Sequence, residues 1–230
     1  GEMNAIRLER LGVRLGDTEV LRDLDLVLDA RTVAVVGDNG SGKSTLARVV
    51  GGLVAPTAGT ADVLQLDPVR DAAELRRRVA VVFSNPDAQI VMPTVAEDVA
   101  FSLRGERMPR AERTDRVNAA LSRFGLTDLG DRSAHDLSGG QKQLLALCGA
   151  FVREPDLVIA DEPTAYLDGR NARIVADHLL ADTGHLLFLV THDLALAERC
   201  EVVVHMAGGR VVAVGEARDI VREYATSLGC

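Results

Sequence analysis

Several kinds of site are disfavoured by what the sequence has little of. Its three cysteines, Cys148, Cys200 and Cys230, form no CxxC pair and no metal-ligand spacing, which argues against a zinc or redox centre and favours free thiols in a reducing compartment. The longest apolar runs, such as Leu186–Val190, are far shorter than the ~20 residues of a membrane-spanning helix. With 26 Lys and Arg against 34 Asp and Glu, and a net charge of −8, no nucleic-acid partner is expected.

What the sequence does contain is an alternation of short strands and helices. Strands are predicted at Ile6–Leu15 and 20–28, joined by a tight turn and plausible as an antiparallel pair. A β-branched run at Thr32–Val36 reads as a buried strand, and it leads into a helix at Lys43–Val50. Further short strands are expected at 79–83 and in the last third of the chain. This order of elements predicts an α/β fold.

The periodicity changes in the middle of the chain. Between residues 93 and 151 the apolar residues recur at helical spacing, as in the series Leu144, Cys148 and Phe151. Strands and helices then alternate again, so a helical insertion is predicted inside an α/β core. The expected boundaries are a single domain of residues 1–230, with a core of residues 3–92 and 152–230 and a helical subdomain of residues 93–151.

A glycine-rich loop lies between the first buried strand and the helix that follows it. It satisfies the GxxxxGK[ST] pattern of a phosphate-binding loop in the strand–loop–helix context that the pattern requires. Glycines allow successive backbone N–H groups to point at phosphates, and the positive end of the helix reinforces them. We expect Lys43 to bridge the β- and γ-phosphates and Ser44 to place its hydroxyl on Mg²⁺. The candidate nucleotide-binding residues of the loop are Gly37, Asp38, Asn39, Gly40, Ser41, Gly42, Lys43 and Ser44.

Acidic residues and a histidine follow two later strands. An apolar run at 157–160 ends in Asp161 and Glu162, and the strand at Leu186–Val190 is followed shortly by His192. Ligands bind beyond the carboxyl ends of parallel strands, so one sheet edge should collect these residues and the glycine-rich loop. Asp161 is placed to hold Mg²⁺, Glu162 to polarise a water as general base, and His192 to contact the γ-phosphate. The candidate catalytic residues are therefore Glu162, His192 and Lys43.

A second anion site is predicted in the helical insertion. Ser138, Gly139, Gly140 and Gln141 open a helix, where Ser138 is a good N-cap and the glycines leave backbone N–H groups bare. This loop lies in a different subdomain from the phosphate-binding loop, so one chain is not expected to bring both onto the same phosphate. A head-to-tail dimer, in which each Ser138 loop covers the partner's nucleotide, would solve this.

The ordered set of motifs resembles the ABC ATPase family over about residues 6–215. The glycine-rich loop extended by Thr45 matches Walker A, residues 138–141 match the signature, and Asp161-Glu162 match Walker B and the catalytic glutamate. Asp168 matches the D-loop and His192 the switch histidine. The resemblance implies an ATPase with ATP and Mg²⁺ as cofactors. In such a dimer, ATP closes the two subunits, hydrolysis reopens them, and a membrane partner follows the movement.

The sequence departs from the family pattern at two positions. The family usually has an aromatic residue in the first strand that stacks on adenine, and the matching residue is Leu15. An aliphatic side chain supplies less stacking energy, so we expect weaker or less base-selective nucleotide binding. The Q-loop glutamine is replaced by Ser84, which is too short to reach Mg²⁺ as glutamine would. Either a water intervenes, or Gln89 serves instead.

The run from Ser84 to Val91 is similar to a narrower group, the ATPases of cobalt-type and energy-coupling-factor importers. Its members take up vitamins and transition-metal ions. The absence of a C-terminal extension resembles the biotin-transporter ATPase in particular. The resemblance implies a homodimer, or a heterodimer with a second ABC ATPase, bound to an integral membrane coupling protein and a substrate-binding membrane protein. It would lie peripherally on the cytoplasmic face of the cell membrane. The alternatives are a soluble ABC-class ATPase without a membrane partner and a nucleotide-sensing module.

Overall fold

A computed structural model describes residues 5–229, so Cys230 lies outside the described residues. The strands within that range are β1 (Ile6–Leu15), β2 (Thr18–Leu28), β3 (Thr32–Val36), β4 (Ala58–Val63), β5 (Val79–Val82), β6 (Leu157–Asp161), β7 (Leu186–Val190), β8 (Val202–Ala207) and β9 (Arg210–Glu216). The α-helices are α1 (Lys43–Val50), α2 (Ala72–Arg78), α3 (Val95–Phe101), α4 (Arg110–Arg123), α5 (Gly139–Phe151), α6 (Gly169–Leu180), α7 (Leu194–Glu198) and α8 (Ala217–Ser227).

The N-terminal sheet has three antiparallel strands in the order β2-β1-β4. The pairing of β1 with β2 confirms the expected antiparallel pair, and Ile6 lies opposite Leu28 on one side and Val63 on the other. The third strand, β4, was not predicted. Its sequence, Ala58–Val63, contains one fully buried apolar side chain, so it lacks the alternation by which strands are recognised.

The central sheet has six strands in the order β5-β6-β7-β3-β8-β9. The first five are parallel, and β9 pairs antiparallel with β8. Successive strand residues face opposite sides. On β3, Val33 and Val35 pack in one apolar cluster with Leu46 of α1, whereas Val36 packs in the other with Tyr224 of α8. Helices α1 and α8 therefore cover opposite faces of the sheet, and the carboxyl ends of five parallel strands share one edge.

Helices α3, α4 and α5 separate β5 from β6, as the change of periodicity predicts. The buried face of α5 differs slightly from the prediction. Cys148 and Phe151 are buried, but Leu144 is only partly buried, and Gln143 occupies the core with an exposed fraction of 1%. The predicted α/β fold with an antiparallel N-terminal sheet and intervening helices is confirmed. The division into a core and a helical subdomain at residues 93 and 151 stays a prediction.

Candidate nucleotide-binding site

The loop of residues 37–42 connects β3 to α1 in a conformation that depends on glycine. A Cβ added to Gly37 would lie 2.3 Å from the carbonyl oxygen of Met206. Gly42 has a φ of 100°, and a Cβ there would meet Leu21 at 2.7 Å. Any larger residue at either position would collide with the neighbouring strands or adopt a strained backbone. The loop is thus shaped by β2 and β8, the strands against which it packs.

Lys43 lies at the bottom of this loop and is buried. Its Nζ donates to the backbone oxygen of Asp38 at 3.3 Å and lies 3.4 Å from Nε2 of His192. Burial lowers the pKa of Lys43, while the negative charges of Glu162, Asp161 and Asp38 oppose that shift. The ammonium group is therefore a positive charge with reduced hydration at the start of a helix, which suits it to bind phosphate.

The loop also contains a buried hydroxyl group, that of Ser41, which lacks a hydrogen-bond partner in the described residues. A buried polar atom of this kind is uncommon unless a ligand or water completes it. A Cβ added to Gly40 would meet no atom within 4 Å, so the loop is open on that side. The residues present fit a polyphosphate.

Asp161 ends β6 next to the hydroxyl of Ser44. The two side chains approach to 3.4 Å, from Oγ of Ser44 to Oδ1 of Asp161. A carboxylate beside a hydroxyl offers the oxygen ligands that Mg²⁺ prefers, and Mg²⁺ commonly takes its remaining ligands from water and substrate phosphates. The structure therefore brings together the two residues predicted to hold the metal.

Glu162 and His192 are in direct contact at the same edge. The carboxylate of Glu162 contacts Nδ1 of His192 and also accepts a hydrogen bond of 3.3 Å from the backbone N–H of His192. On the other side of the ring, Nε2 lies 2.8 Å from Oδ1 of Asn39. Glu162 has a φ of 50°, a conformation that costs a residue with a side chain ~1–2 kcal/mol. Such strained positions cluster at functional sites.

The signature loop satisfies its own hydrogen bonds. Ser138 caps α5, because its hydroxyl oxygen accepts a hydrogen bond of 3.2 Å from the backbone N–H of Gln141. In return, the side-chain oxygen of Gln141 accepts a hydrogen bond from the backbone N–H of Ser138. The first N–H groups of a helix have no acceptor within it, and in the described residues those of Gly139 and of the buried Gly140 make no hydrogen bond to another backbone group. Across residues 5–229, no hydrogen bond joins residues 138–141 to residues 37–45.

Asp168 lies against the signature loop through α6. It caps this helix by accepting from the backbone N–H of Asn171 at 2.9 Å. A Cβ added to Gly140 would lie 2.5 Å from the Asn171 side chain. The signature loop and the predicted D-loop residue therefore contact each other through one asparagine, which the sequence did not single out.

The segment after β5 differs from expectation in detail. The strand ends at Val82, and the side chain of Gln89 binds the backbone around its end, accepting from Phe83 and donating to Val81. In the described part of the chain, no hydrogen bond joins Ser84 or Gln89 to Ser44 or Asp161. Gln89 is thus placed to hold the loop and not to reach the metal-binding pair.

Gln143 has a buried side-chain amide that the sequence did not single out. Its Nε2 donates to the carbonyl oxygens of Phe83 at 2.9 Å and Pro163 at 2.7 Å. It therefore ties α5 to the loops that follow β5 and β6. The available signal was a glutamine inside an otherwise apolar helical stretch, since a buried polar side chain there needs partners.

Leu15 ends β1, where it is 47% exposed. It lies opposite Thr18 in the β1–β2 hairpin. Val20, two residues after Thr18, has its carbonyl oxygen 3.1 Å from the position of a Cβ added to Gly42. The hairpin tip is therefore next to the phosphate-binding loop. The placement of Leu15 beside a nucleotide base stays a prediction.

A groove of about 670 Å³ lies away from the phosphate-binding loop, between α2, α3, α5 and the segment after β5. Arg76, Arg77 and Arg104 line it, with Val91 at its rim. Val91 is 57% exposed. Arg153, Asp98 and Glu106 also line the groove, so its lining has a net positive charge, and Val91 adds an exposed aliphatic residue.

Comparisons with known proteins agree with this geometry. A protein-family model described as ABC transporter matches residues 21–165. The chain belongs to the ABC transporter family. A putative ABC transporter ATP-binding protein of Deinococcus radiodurans is 42% identical over 219 residues, which are 95% of this chain and 96% of the relative. The biotin transport ATP-binding protein BioM of Rhizobium etli is 37% identical over 95% of this chain and 97% of its own length.

The same family is found among solved structures. CbiO1 from Clostridium perfringens, described as part of the ABC transporter complex CbiONQ, superimposes with a TM-score of 0.88 at 30% identity, covering 98% of this chain and 93% of CbiO1. The resemblance of this ABC chain to cobalt-type and biotin-transporter ATPases is confirmed, and so is its assignment as an ATPase coupled to transport. No helix within residues 5–229 has both the length and the apolar character needed to cross a lipid bilayer.

Proposed function

We propose that this ABC chain is the ATP-binding and ATP-hydrolysing motor of a membrane importer of the energy-coupling-factor type. The observation that supports it best is the contact network at one sheet edge, in which Lys43, Glu162, His192 and Asn39 meet beside the glycine-rich loop. The transported substrate is a vitamin or a transition-metal ion. Biotin is favoured, because BioM is similar to this chain over nearly the full length of both.

Each residue at the edge has a distinct role in the proposed reaction. The loop N–H groups and Lys43 hold the β- and γ-phosphates of ATP. Ser44 and Asp161 hold Mg²⁺, which neutralises phosphate charge when bound. Glu162 takes the proton of the attacking water, and its contact with His192 orients the carboxylate towards that water.

We propose that the active form is a head-to-tail dimer, either of two copies of this chain or of this chain with a second ABC ATPase. The support is the start of α5, where the N–H groups of Gly139 and Gly140 have no backbone acceptor in the described residues and make no hydrogen bond to the phosphate-binding loop of the same chain. In the dimer they would bind the partner's nucleotide. Asp168 contacts the signature loop through Asn171. It would therefore couple the nucleotide state of one site in the dimer to that of the other. ATP closes this dimer, and hydrolysis reopens it.

The groove beside α2 and α3 is the proposed binding surface for an integral membrane coupling protein. Its arginines suit the carboxylates or helix C-terminal carbonyls of a partner helix, and the exposed Val91 at its rim offers an apolar anchor. With a substrate-binding membrane protein also attached, the chain would lie peripherally on the cytoplasmic face of the membrane.

Affinity purification from detergent-solubilised membranes of the native host tests this proposal. Wild-type chain should recover a coupling protein and a small substrate-binding membrane protein, identified by mass spectrometry, and the latter points to the substrate. Val91→Glu should reduce that recovery at least about fivefold, because a charge would be buried at the interface. Val212→Glu is the matched control, since Val212 is also exposed but lies on β9.

The outcomes separate the candidate functions. Recovery with wild type and Val212→Glu but not with Val91→Glu supports the motor and its docking groove. If folded, ATP-binding wild type recovers no membrane protein, the importer assignment is wrong. The chain would then act as a soluble ABC-class ATPase.

A further inference from the structure

The phosphate-binding loop contains a carboxylate that its proposed role does not use. Asp38 directly follows Gly37, and its backbone oxygen accepts from Lys43 Nζ and from the backbone N–H of Ser41. Its side chain is bonded elsewhere. Oδ1 of Asp38 accepts a hydrogen bond of 2.8 Å from the hydroxyl of Tyr224, a residue of α8 186 positions later in the chain.

A negative charge in this loop opposes the binding of another anion. Asp38 is one of three carboxylates that raise the pKa of Lys43, so its charge acts on the ammonium group that is proposed to bind phosphate. A carboxylate turned towards Lys43 would compete with a polyphosphate for that positive charge and would repel the polyphosphate directly. The direction in which the Asp38 side chain points therefore matters for nucleotide affinity.

The position of Tyr224 decides that direction. Helix α8 packs in the apolar cluster on the sheet face opposite α1, and Tyr224 is 7% exposed within it. The ring also contacts His205, with 4.6 Å between ring centroids. A hydrogen bond to this ring hydroxyl draws the carboxylate towards the α8 face, away from the N-terminus of α1.

Tyr224 is a stable donor for this purpose. Burial and the neighbouring Asp38 raise the pKa of Tyr224 to about 12. The phenol therefore keeps its proton at any physiological pH. A hydrogen bond from a neutral hydroxyl to a carboxylate is roughly twice as strong as one between neutral groups.

We propose that Tyr224 is a positioning residue for ATP binding, whose hydroxyl holds the Asp38 carboxylate against α8 and away from the bound polyphosphate. This inference rests on the proposed function of residues 37–45 as the ATP site. It adds to that site a residue of helix α8, which reaches the phosphate-binding loop through the Asp38 side chain.

A double-mutant cycle between Tyr224→Phe and Asp38→Asn tests the inference. The dissociation constant for ATP is measured by calorimetric titration of the full chain in EDTA, so that hydrolysis does not interfere. Tyr224→Phe keeps the ring and removes only the hydroxyl. It should weaken ATP binding about three- to tenfold, a part of the energy of a hydrogen bond to a charged group. In the Asp38→Asn background, which has no charge to redirect, the same change should weaken binding less than about twofold.

Two further measurements distinguish positioning from a general effect on α8. With saturating Mg²⁺ and ATP, the kcat of Tyr224→Phe should stay within about twofold of wild type, because the Tyr224 hydroxyl bonds to Asp38 and not to the proposed catalytic residues Glu162, His192 and Lys43. Thr226→Ala removes an exposed hydroxyl from the same helix, one that bonds only to the helix backbone, and should leave ATP affinity unchanged.

The contrary outcomes are separable. Unchanged affinity in Tyr224→Phe, or equal losses of affinity in both backgrounds, would each overturn the role of Tyr224 while leaving the ATP site in place. Absence of ATP binding in the folded wild-type chain would instead overturn the proposed function itself, and the inference with it.

Discussion

The sheet edge at the carboxyl ends of the parallel strands, where ATP is proposed to bind, differs in composition between its centre and its two flanks. At the centre, where β3, β6 and β7 end, polar side chains contact one another: Lys43 with His192, His192 with Glu162, and Ser44 with Asp161. At the flanks, the end of β5 carries the short Ser84 and the hairpin tip carries the aliphatic Leu15. Neither flanking side chain makes a polar contact with the central group in the described residues.

The difference separates two demands on an ATPase. Phosphate chemistry needs several charges at fixed distances, and the removal of one of them leaves the others buried and unpaired. Base binding and the outer coordination of a metal tolerate variation, because stacking is graded and water can replace a side chain. We therefore expect large effects of substitution at the centre and small, graded effects at the flanks.

The largest effect is expected from Glu162→Gln. The amide keeps the size of the side chain but cannot accept a proton, so ATP turnover should fall at least about 100-fold. ATP affinity should remain within about threefold of wild type, and the ATP-bound dimer should persist. Phosphate release and light scattering with Mg²⁺ and ATP measure the two quantities.

The control for this substitution is Glu112→Gln, an exposed glutamate in the first turn of α4, which should retain full turnover. Turnover above about a tenth of wild type in Glu162→Gln would remove Glu162 from the role of general base. The contrast between centre and flanks would then lose its main support.

An intermediate effect is expected from Leu15→Tyr at the hairpin tip. An aromatic ring there would stack on the base, so ATP affinity should increase about three- to tenfold, a fraction of the stacking energy measured for nucleic-acid bases. Wild type should show little preference for ATP over GTP, and kcat should not change. Competition binding with both nucleotides measures the effect.

Val27→Tyr is the matched control for the hairpin tip, because Val27 is 52% exposed on the neighbouring strand β2. It should leave both affinities unchanged. A strong preference of wild type for ATP would mean that a side chain other than Leu15 contacts the base. The hairpin flank would then be more base-selective than its sequence indicates.

The sequence predicts the centre well because its signals are local. A β-branched strand, a glycine-rich loop and a helix follow one another directly at Thr32–Val50, and parallel strands bring their carboxyl ends together by topology alone. The positions of Asp161, Glu162 and His192 follow from that rule.

Other contacts depend on tertiary packing that no local pattern encodes. Helix α8 was not predicted, and its Tyr224 reaches Asp38 only because α8 packs back onto β8 and β9. Gln143 was assigned no role, because its two carbonyl partners come from loops 60 and 20 residues away in sequence. Strand β4 was missed because an edge strand of mostly small residues, with one buried side chain, has no apolar alternation.

The smallest effect on activity is expected at the β5 flank, from Ser84→Gln. If Ser44 and Asp161 hold Mg²⁺ as proposed, a glutamine would extend towards the ion directly, whereas serine would act through a bridging water. The substitution should therefore lower the Mg²⁺ concentration for half-maximal ATPase activity about threefold, since a direct contact improves only modestly on a water-mediated one. Steady-state turnover across a Mg²⁺ titration measures this change.

Gln89→Leu is the informative comparison for that flank, because it tests whether Gln89 already serves the metal. Its amide is bonded to the backbone of Phe83 and Val81, so its loss should lower the free energy of unfolding by about 1–3 kcal/mol. The Mg²⁺ dependence should not change. If Gln89→Leu raised the Mg²⁺ requirement more than about threefold while Ser84→Gln had no effect, the assignment would reverse: Gln89 would leave its backbone partners when the metal binds, and the flank would contain a mobile ligand in place of a fixed loop.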